Sequence, residues 1–235
     1  MIEKSFIFLD GINYKKESNI WAQKIYSWDD FISRDKIKGI SYFMKRHYDR
    51  LLIKAKKSLF LRDTSFFKDI LPSMDTWRLY ERFKNECLFL DIEAGTRKRV
   101  EVIGLYDGES VVTLHKDYNL EKFFHSNFFN DFKLLITFNG SVFDLPIINE
   151  KLGCILPNIP HIDLRFLCDK IGLKGGLKKI EKKLELERDV FFENRNKSLY
   201  NIISYNQSDV LNLKPILEYC IKLQKNSSHF SILRS

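Results

Sequence analysis

No two cysteines in this 235-residue chain lie at CxxC spacing. Its four, Cys87, Cys154, Cys168 and Cys220, sit in apolar surroundings such as RFLCDK and LEYCIK. That is the pattern of reduced core residues, not of a zinc site or a disulfide framework. Long apolar runs are missing as well. The amino-terminal MIEKSFIFLDGINY has only a few consecutive apolar residues, flanked by Glu3, Lys4 and Asp10, too few for a secretory core or a bilayer span. The expected location is therefore the cytoplasm, with no membrane partner. GxSxG, a catalytic-cysteine signature and GxxxxGK[ST] are all lacking, and the five histidines form no nucleophile and base arrangement. Gly175-Gly176 ahead of Leu177 accordingly reads as a helix entry, not a phosphate loop.

With 44% hydrophobic, 14% aromatic and 30% charged residues, the chain has too many core formers for disorder and too much interspersed charge for a membrane protein. A formal net charge of +8 points toward a polyanionic partner or toward a merely lysine-rich composition. Charge alone does not separate the two.

The chain changes character near residue 85. Residues 1–84 read as a small helical module. GINYKKESNIWAQKIYSWDDFI suggests a turn at Gly11, a helix through Glu17 to Ala22, and a second start capped at Ser27 with Asp30 three residues on. The stretch resembles a helix-hairpin-helix element that carries Asn13 where such elements have a second glycine. In DKIKGISYFMKRHYDRLLIKAKK, Ile37, Ile40, Phe43, Met44, Tyr48, Leu51 and Leu52 recur at three- and four-residue steps, predicting an amphipathic helix whose other face is basic.

Residues 85–235 alternate strands with helices. CLFLDIEA, RKRVEVIGLYDG and ESVVTLH read as an antiparallel meander, with Asp107-Gly108 a hairpin signal. NLEKFFHSNFF reads as a helix, KLLITFNG as a buried strand, FDLPIINEKLG as a helix ended by Gly153, and HIDLRFL as a fifth strand. The helices GLKKIEKKLEL and SLYNIISYNQSDVLNLKPILEYCIKL follow. The expected fold class is α/β, a mixed five-stranded sheet flanked by helices and preceded by the helical module.

Within CLFLDIEAG an apolar strand ends in two carboxylates. Asp91 and Glu93, two residues apart, project to the same side of the strand. Neighbouring carboxylates resist burial unless a cation sits between them. Hard oxygen ligands without cysteine or ligand-spaced histidine nearby favour magnesium or manganese over zinc. Asp144 in FNGSVFDLPII stands where a buried strand turns into a helix, and Asp209 follows Tyr205 by four residues on one helical face. Asn139 and Gly140 precede the Asp144 helix, either admitting substrate or making a plain turn. Phe143 either meets a base or fills core, and His161 and Asp163 alternate on the HIDL strand. Lys178, Lys179, Lys182 and Lys183 either line a groove or form a solvated face.

DIE, NGSVFD followed by Leu-Pro, and YNQSD stand in the order and spacing of the three motifs of the DEDD 3′→5′ exonucleases in the ribonuclease H-like superfamily. The tyrosine ahead of the last aspartate resembles the DEDDy branch, which includes the proofreading domains of replicative DNA polymerases. The surrounding chain, from FIFLDGINYKKESNIWAQKIYSWDDFI through WRLYERF, IGLYDG, HIDL and GGLKKIEKKLEL, is similar to the YprB-like ribonuclease H-like proteins. Ala94 and Gly95 depart from the threonine that usually follows DIE, at a contact to the terminal nucleotide.

The resemblance implies that Asp91, Glu93, Asp144 and Asp209 hold two divalent cations, Mg2+ or Mn2+, and that Tyr205 orients the attacking water. Asp163 looks like a recurrent family feature near the site that is not one of the four ligands. The implied function is metal-dependent 3′→5′ exonuclease action on single-stranded nucleic acid, DNA slightly favoured. RNA-directed or endonucleolytic cleavage at the same site is an alternative. A catalytically silent nucleic-acid-binding protein is another, and its expected mark is loss of a carboxylate.

Overall fold

Side chains that accept from the first turn start the first three helices. Asn13 accepts from the Lys16 amide, Ser27 and Asp30 form a reciprocal capping box, and Ser41 accepts from the Met44 amide. They open α1 (Tyr14–Trp21), α2 (Trp28–Ser33) and α3 (Tyr42–Phe60); α4 (Ser65–Ile70) and α5 (Tyr80–Phe83) follow, with a 3-10 stretch (Ser73–Leu79) between them. The computed structural model describes residues 1–95, 97, 99–115, 120, 123, 127–153, 156, 158–188 and 198–227. The chain divides into two compact units, the first Met1–Lys84 together with the chain from Ile221, the second Asn85–Cys220.

The first unit closes on aromatic rings. Phe6, Trp21, Trp28, Phe31 and Phe67 are fully buried, with Phe8 edge-on to both Trp28 and Phe67. Through this core runs a buried ion network. Arg78 donates to both carboxylate oxygens of Glu17, at 2.7 and 3.0 Å, and to Asp75 at 2.9 Å. Glu17 also accepts from the Phe6 amide at 2.7 Å, and Asp75 from the Tyr14 hydroxyl at 2.7 Å. One guanidinium serves both carboxylates, and the remaining oxygen capacity is met by the Phe6 amide and the Tyr14 hydroxyl, which is the condition for tolerating burial.

The face of α3 differs from the expectation. Its buried residues are Lys45, Tyr48, Leu52, Ala55 and Leu59, while Phe43 is exposed. The apolar count began at Ile37, but the helix begins only after Ser41, so Ile37 and Ile40 could not set its phase. Lys45 is buried because its ammonium reaches both oxygens of Asp49 at 2.7 Å and lies over the Phe31 ring.

In the second unit, β1 (Cys87–Ala94), β2 (Val100–Tyr106) and β3 (Val111–His115) form the antiparallel meander, and β4 (Leu134–Thr137) and β5 (His161–Asp163) add in parallel, in the order β3-β2-β1-β4-β5. This is the mixed five-stranded sheet flanked by helices that the sequence led one to expect. Asp107 accepts from the amides of Glu109 and Ser110 and shapes the β2–β3 turn. A bulge in the β1–β2 pairing falls between Glu93 and Ala94. Leu88, Leu90 and Ile92 point to one side of β1 into a core with Ile103, Leu105, Ile147 and Ile148.

The helices are α6 (Asp144–Leu152), ended by left-handed Gly153, then α7 (Leu164–Lys170), α8 (Leu177–Lys183) and α9 (Leu199–Asn226). HIDLRFL is not one strand. Only His161–Asp163 pairs with β4, and α7 starts at once because the Asp163 carboxylate accepts from the Arg165 amide and caps it. The predicted helix NLEKFFHSNFF lies largely outside the described residues, and its end is a 3-10 helix (Asn127–Asp131). Cys87, Cys168 and Cys220 are buried free thiols, and Cys154 lies outside the described residues. Among the described residues, no helix is long and apolar enough to cross a membrane.

Candidate metal centre

β1 and β4 run side by side only from Cys87 to Phe89. Beyond that β4 ends at Thr137, and the parallel pair opens toward its carboxyl ends, the place where open α/β sheets receive ligands. Asp144, at the start of α6, takes over there. Its carboxylate accepts from the Ile92 amide at 3.0 Å, a backbone donor that no β4 carbonyl meets.

Asp91 and Glu93 leave the same side of β1, flanking Ile92, and meet Asp209 from α9. One carboxylate oxygen from each of the three lies within 4.8 Å of the others. Asp144 does not join that closest group. It is buried beside it, with one oxygen committed to β1, and its charge raises the Asp91 pKa.

The carboxylates resist ionisation together. Burial, and then the charges of Asp144, Asp209 and Glu93, push Asp91 well above its ordinary value. Burial and the charge of Asp209 push Glu93 up to about 7. Burial holds Asp144 at about 7 against the hydrogen bond from Ile92. Asp209 is raised to about 6 by burial, with Arg188 pulling the other way. A site that stays fully ionised at neutral pH needs more positive charge than the protein brings. This donor set, all carboxylate oxygen and converging from two elements, fits a hard divalent cation held by Asp91, Glu93 and Asp209 with Asp144 alongside.

Several neighbours escaped the sequence reading. Asn206, three residues before Asp209, donates to the Asp91 carboxylate at 2.9 Å and to the Asp91 carbonyl at 3.2 Å. It fits because Gly104 stands opposite Asp91 on β2, where a Cβ would come within 2.2 Å of the Asn206 Oδ1. A glycine inside a strand is the one sequence signal of such a close approach. Arg188 donates to both oxygens of Glu181, at 2.7 and 3.0 Å, and pairs with Asp209; Glu181 also accepts from Asn212. The Tyr205 ring meets two cations, the Lys178 ammonium 4.1 Å and the Arg188 guanidinium 4.9 Å from its centroid. All four lysines, Lys178, Lys179, Lys182 and Lys183, are exposed, and Lys178 is the one placed over the tyrosine ring.

The remaining candidates assemble around a turn. Asp163 accepts from the amides of Asn139 and Ser141, at 2.8 and 3.1 Å, as well as from Arg165. It holds Asn139 in a left-handed conformation, φ 63°. The Asn139 side chain accepts from Arg165 at 2.6 Å. Gly140 donates to the Thr137 hydroxyl, and a Cβ there would sit 2.1 Å from that oxygen. His161 lies 2.9 Å from the same hydroxyl and is kept neutral by burial, its pKa lowered to about 4. Asp163 and His161 thus brace the turn that feeds α6, and Phe143 is partly exposed one residue before Asp144.

No curated protein and no solved structure matches this chain. A family profile described as RNase_H superfamily matches residues 88–221, from the first strand through the helix that carries Asp209. Its members' dependence on divalent metals agrees with the acidic cluster, and the superfamily points to a nuclease acting on nucleic acid. The chain belongs to the RNase_H superfamily.

Proposed function

We propose that this protein is a metal-dependent 3′→5′ exonuclease of the DEDDy type, similar to the YprB-like proteins, that removes nucleotides from single-stranded nucleic acid, with DNA slightly favoured. The observation that carries the reading is the convergence of Asp91, Glu93 and Asp209 to within 4.8 Å, with Asp144 beside them and Tyr205 one helical turn from Asp209. Magnesium or manganese, two ions in the full site, would be held by the four carboxylates. Bound there, the metal supplies an acidified water and neutralises charge developing on the phosphate.

The protein's own groups set the geometry. Asn206 fixes the Asp91 carboxylate by donating to it and to its carbonyl. Arg188, anchored by Glu181, keeps positive charge against Asp209. The Tyr205 hydroxyl holds the attacking water by hydrogen bonding, and the two cations keep its ring in place. All four carboxylates are present, which argues against a silent binder.

The test is incubation of the purified chain with 5′-labelled single-stranded DNA and RNA, with Mn2+, Mg2+ or chelator, beside an Asp91→Ala/Asp209→Ala variant. A metal-dependent ladder shortening from the 3′ end, absent in the variant, is the expected result. Firm binding without any cleavage would return the reading to a silent binder, and internal cuts would make it an endonuclease.

A further inference from the structure

The basic helix α3 presents an unusual outer face. Opposite its buried residues, Phe43, Arg46, Arg50, Lys54 and Lys57 recur at three- and four-residue steps, all exposed, and Phe60 and Leu61 close the row. Tyr42 is 64% exposed, Phe43 83% and Phe60 82%. Single exposed aromatics are ordinary, but three on one helix, at both ends of a cationic row, leave apolar area in water that a partner would cover. The only acid in α3, Asp49, is taken by the buried Lys45. Among the described residues, no ion pair occupies Arg50, Lys54 or Lys57, and Arg46 lies over the Tyr42 ring.

We propose that this face of α3 is a nucleic-acid-binding surface outside the metal centre, which holds a single strand by ion-pairing phosphates to Arg46, Arg50, Lys54 and Lys57 and stacking unpaired bases on Phe43 and Phe60. A cationic row of about 16 Å at 1.5 Å per residue matches a linear polyanion better than a compact anion. Flanking aromatics select against duplex, whose bases are already stacked on one another, and in favour of single strands, whose bases offer free faces. An acidic protein would satisfy the cations but would leave the ring faces without their complement. The inference rests on the reading above only for its choice of polymer.

The test uses the full chain in chelator, where cleavage plays no part, with fluorescein-labelled oligo-dT and oligo-U of about 20 nucleotides followed by anisotropy across a salt series. An Arg46→Ala/Arg50→Ala/Lys54→Ala/Lys57→Ala variant is expected to bind at least about 10-fold more weakly. Its log–log salt slope should shrink by about 2 to 3, at about 0.7 per lost phosphate contact. A control losing the same charge elsewhere in the first unit, Lys15→Ala/Arg34→Ala/Lys36→Ala/Lys38→Ala, should keep most of the affinity. Phe43→Ala/Phe60→Ala should weaken binding about 10-fold or more with the slope unchanged. The proposal is overturned if the cationic variant loses no more than the control, or if the phenylalanine variant binds like the parent. Because binding is read without metal, stripe-dependent binding by a chain that never cleaves would keep this inference while removing the nuclease.

Discussion

At the residue scale, the candidate centre depends on one amide and one missing side chain. Asn206 is fully buried and its two donor contacts both go to Asp91, 115 positions away in sequence. Replacing it with alanine removes the donor that fixes Asp91, and denaturant unfolding should show a loss of about 1–3 kcal/mol. Gly104→Ala pushes a methyl against Asn206 and should cost about 1–3 kcal/mol by overpacking. The double variant should lose less than the sum, by about 1 kcal/mol, because each change removes the other's conflict. Additive losses would show that the two residues do not meet. Tyr205→Phe should lower turnover about 100-fold with metal affinity by calorimetry unchanged; equal turnover would reduce the hydroxyl to packing.

That Asp91 and Glu93 share one side of a strand, and Tyr205 and Asp209 one face of a helix, was legible from spacing, since two-residue and four-residue steps fix a face. The contacts of Asn206, Arg188 and Glu181 were not, because they join residues from seven to 115 positions apart that follow no helix or strand period.

At the element scale, caps decided outcomes that periodicity could not. Ser41 sets the phase of α3, and Asp163 turns the second half of HIDLRFL from strand into helix. Local hydrophobic pattern treats an apolar strand end and a helix start alike, and only the capping geometry separates them. The meander and the helices α6, α8 and α9 of the second unit were legible, because each has its own period and turn residues, whereas α7 had been read as strand. The buried ion network in the first unit was invisible for the opposite reason. Arg78 and Glu17 sit in helical stretches that look ordinarily charged, yet their side chains are fully enclosed. Arg78→Ala leaves Glu17 and Asp75 charged and unpaired in the core, so it should destabilise the protein by about 3–5 kcal/mol. Thermal unfolding reads this directly, and a change below about 1 kcal/mol, within the range of exposed pairs, would mean the network is solvated.

At the scale of the whole molecule, the acidic cluster ties stability to pH and metal. Glu93 and Asp144 are raised to about 7 and Asp209 to about 6, each chiefly by burial, from about 4 in the unfolded chain. The folded protein therefore binds more protons than the unfolded one through that window. Its contribution is fully present below about pH 4 and is lost as pH rises through about 7. Metal-free protein in chelator should accordingly lose stability between about pH 4 and pH 7 through this cluster. Mn2+ or Mg2+ at about 100 times its Kd should return about 2.7 kcal/mol near pH 8, or about 5–10 °C in Tm, and much less near pH 5. Asp91→Asn/Asp209→Asn should flatten both dependences. A metal response of equal size at the two pH values would place the ion elsewhere.

The bulge between Glu93 and Ala94 has a consequence for how this chain can vary. Because it interrupts pairing directly after the second acidic residue, a change of length in the connection from Ala94 to Val100 is absorbed on the far side of the irregularity. The aim of Asp91 and Glu93 is indexed instead to the five pairs from Phe89–Tyr106 to Glu93–Val102. The connection beyond the bulge can thus be lengthened or shortened while the two acidic side chains keep their bearing.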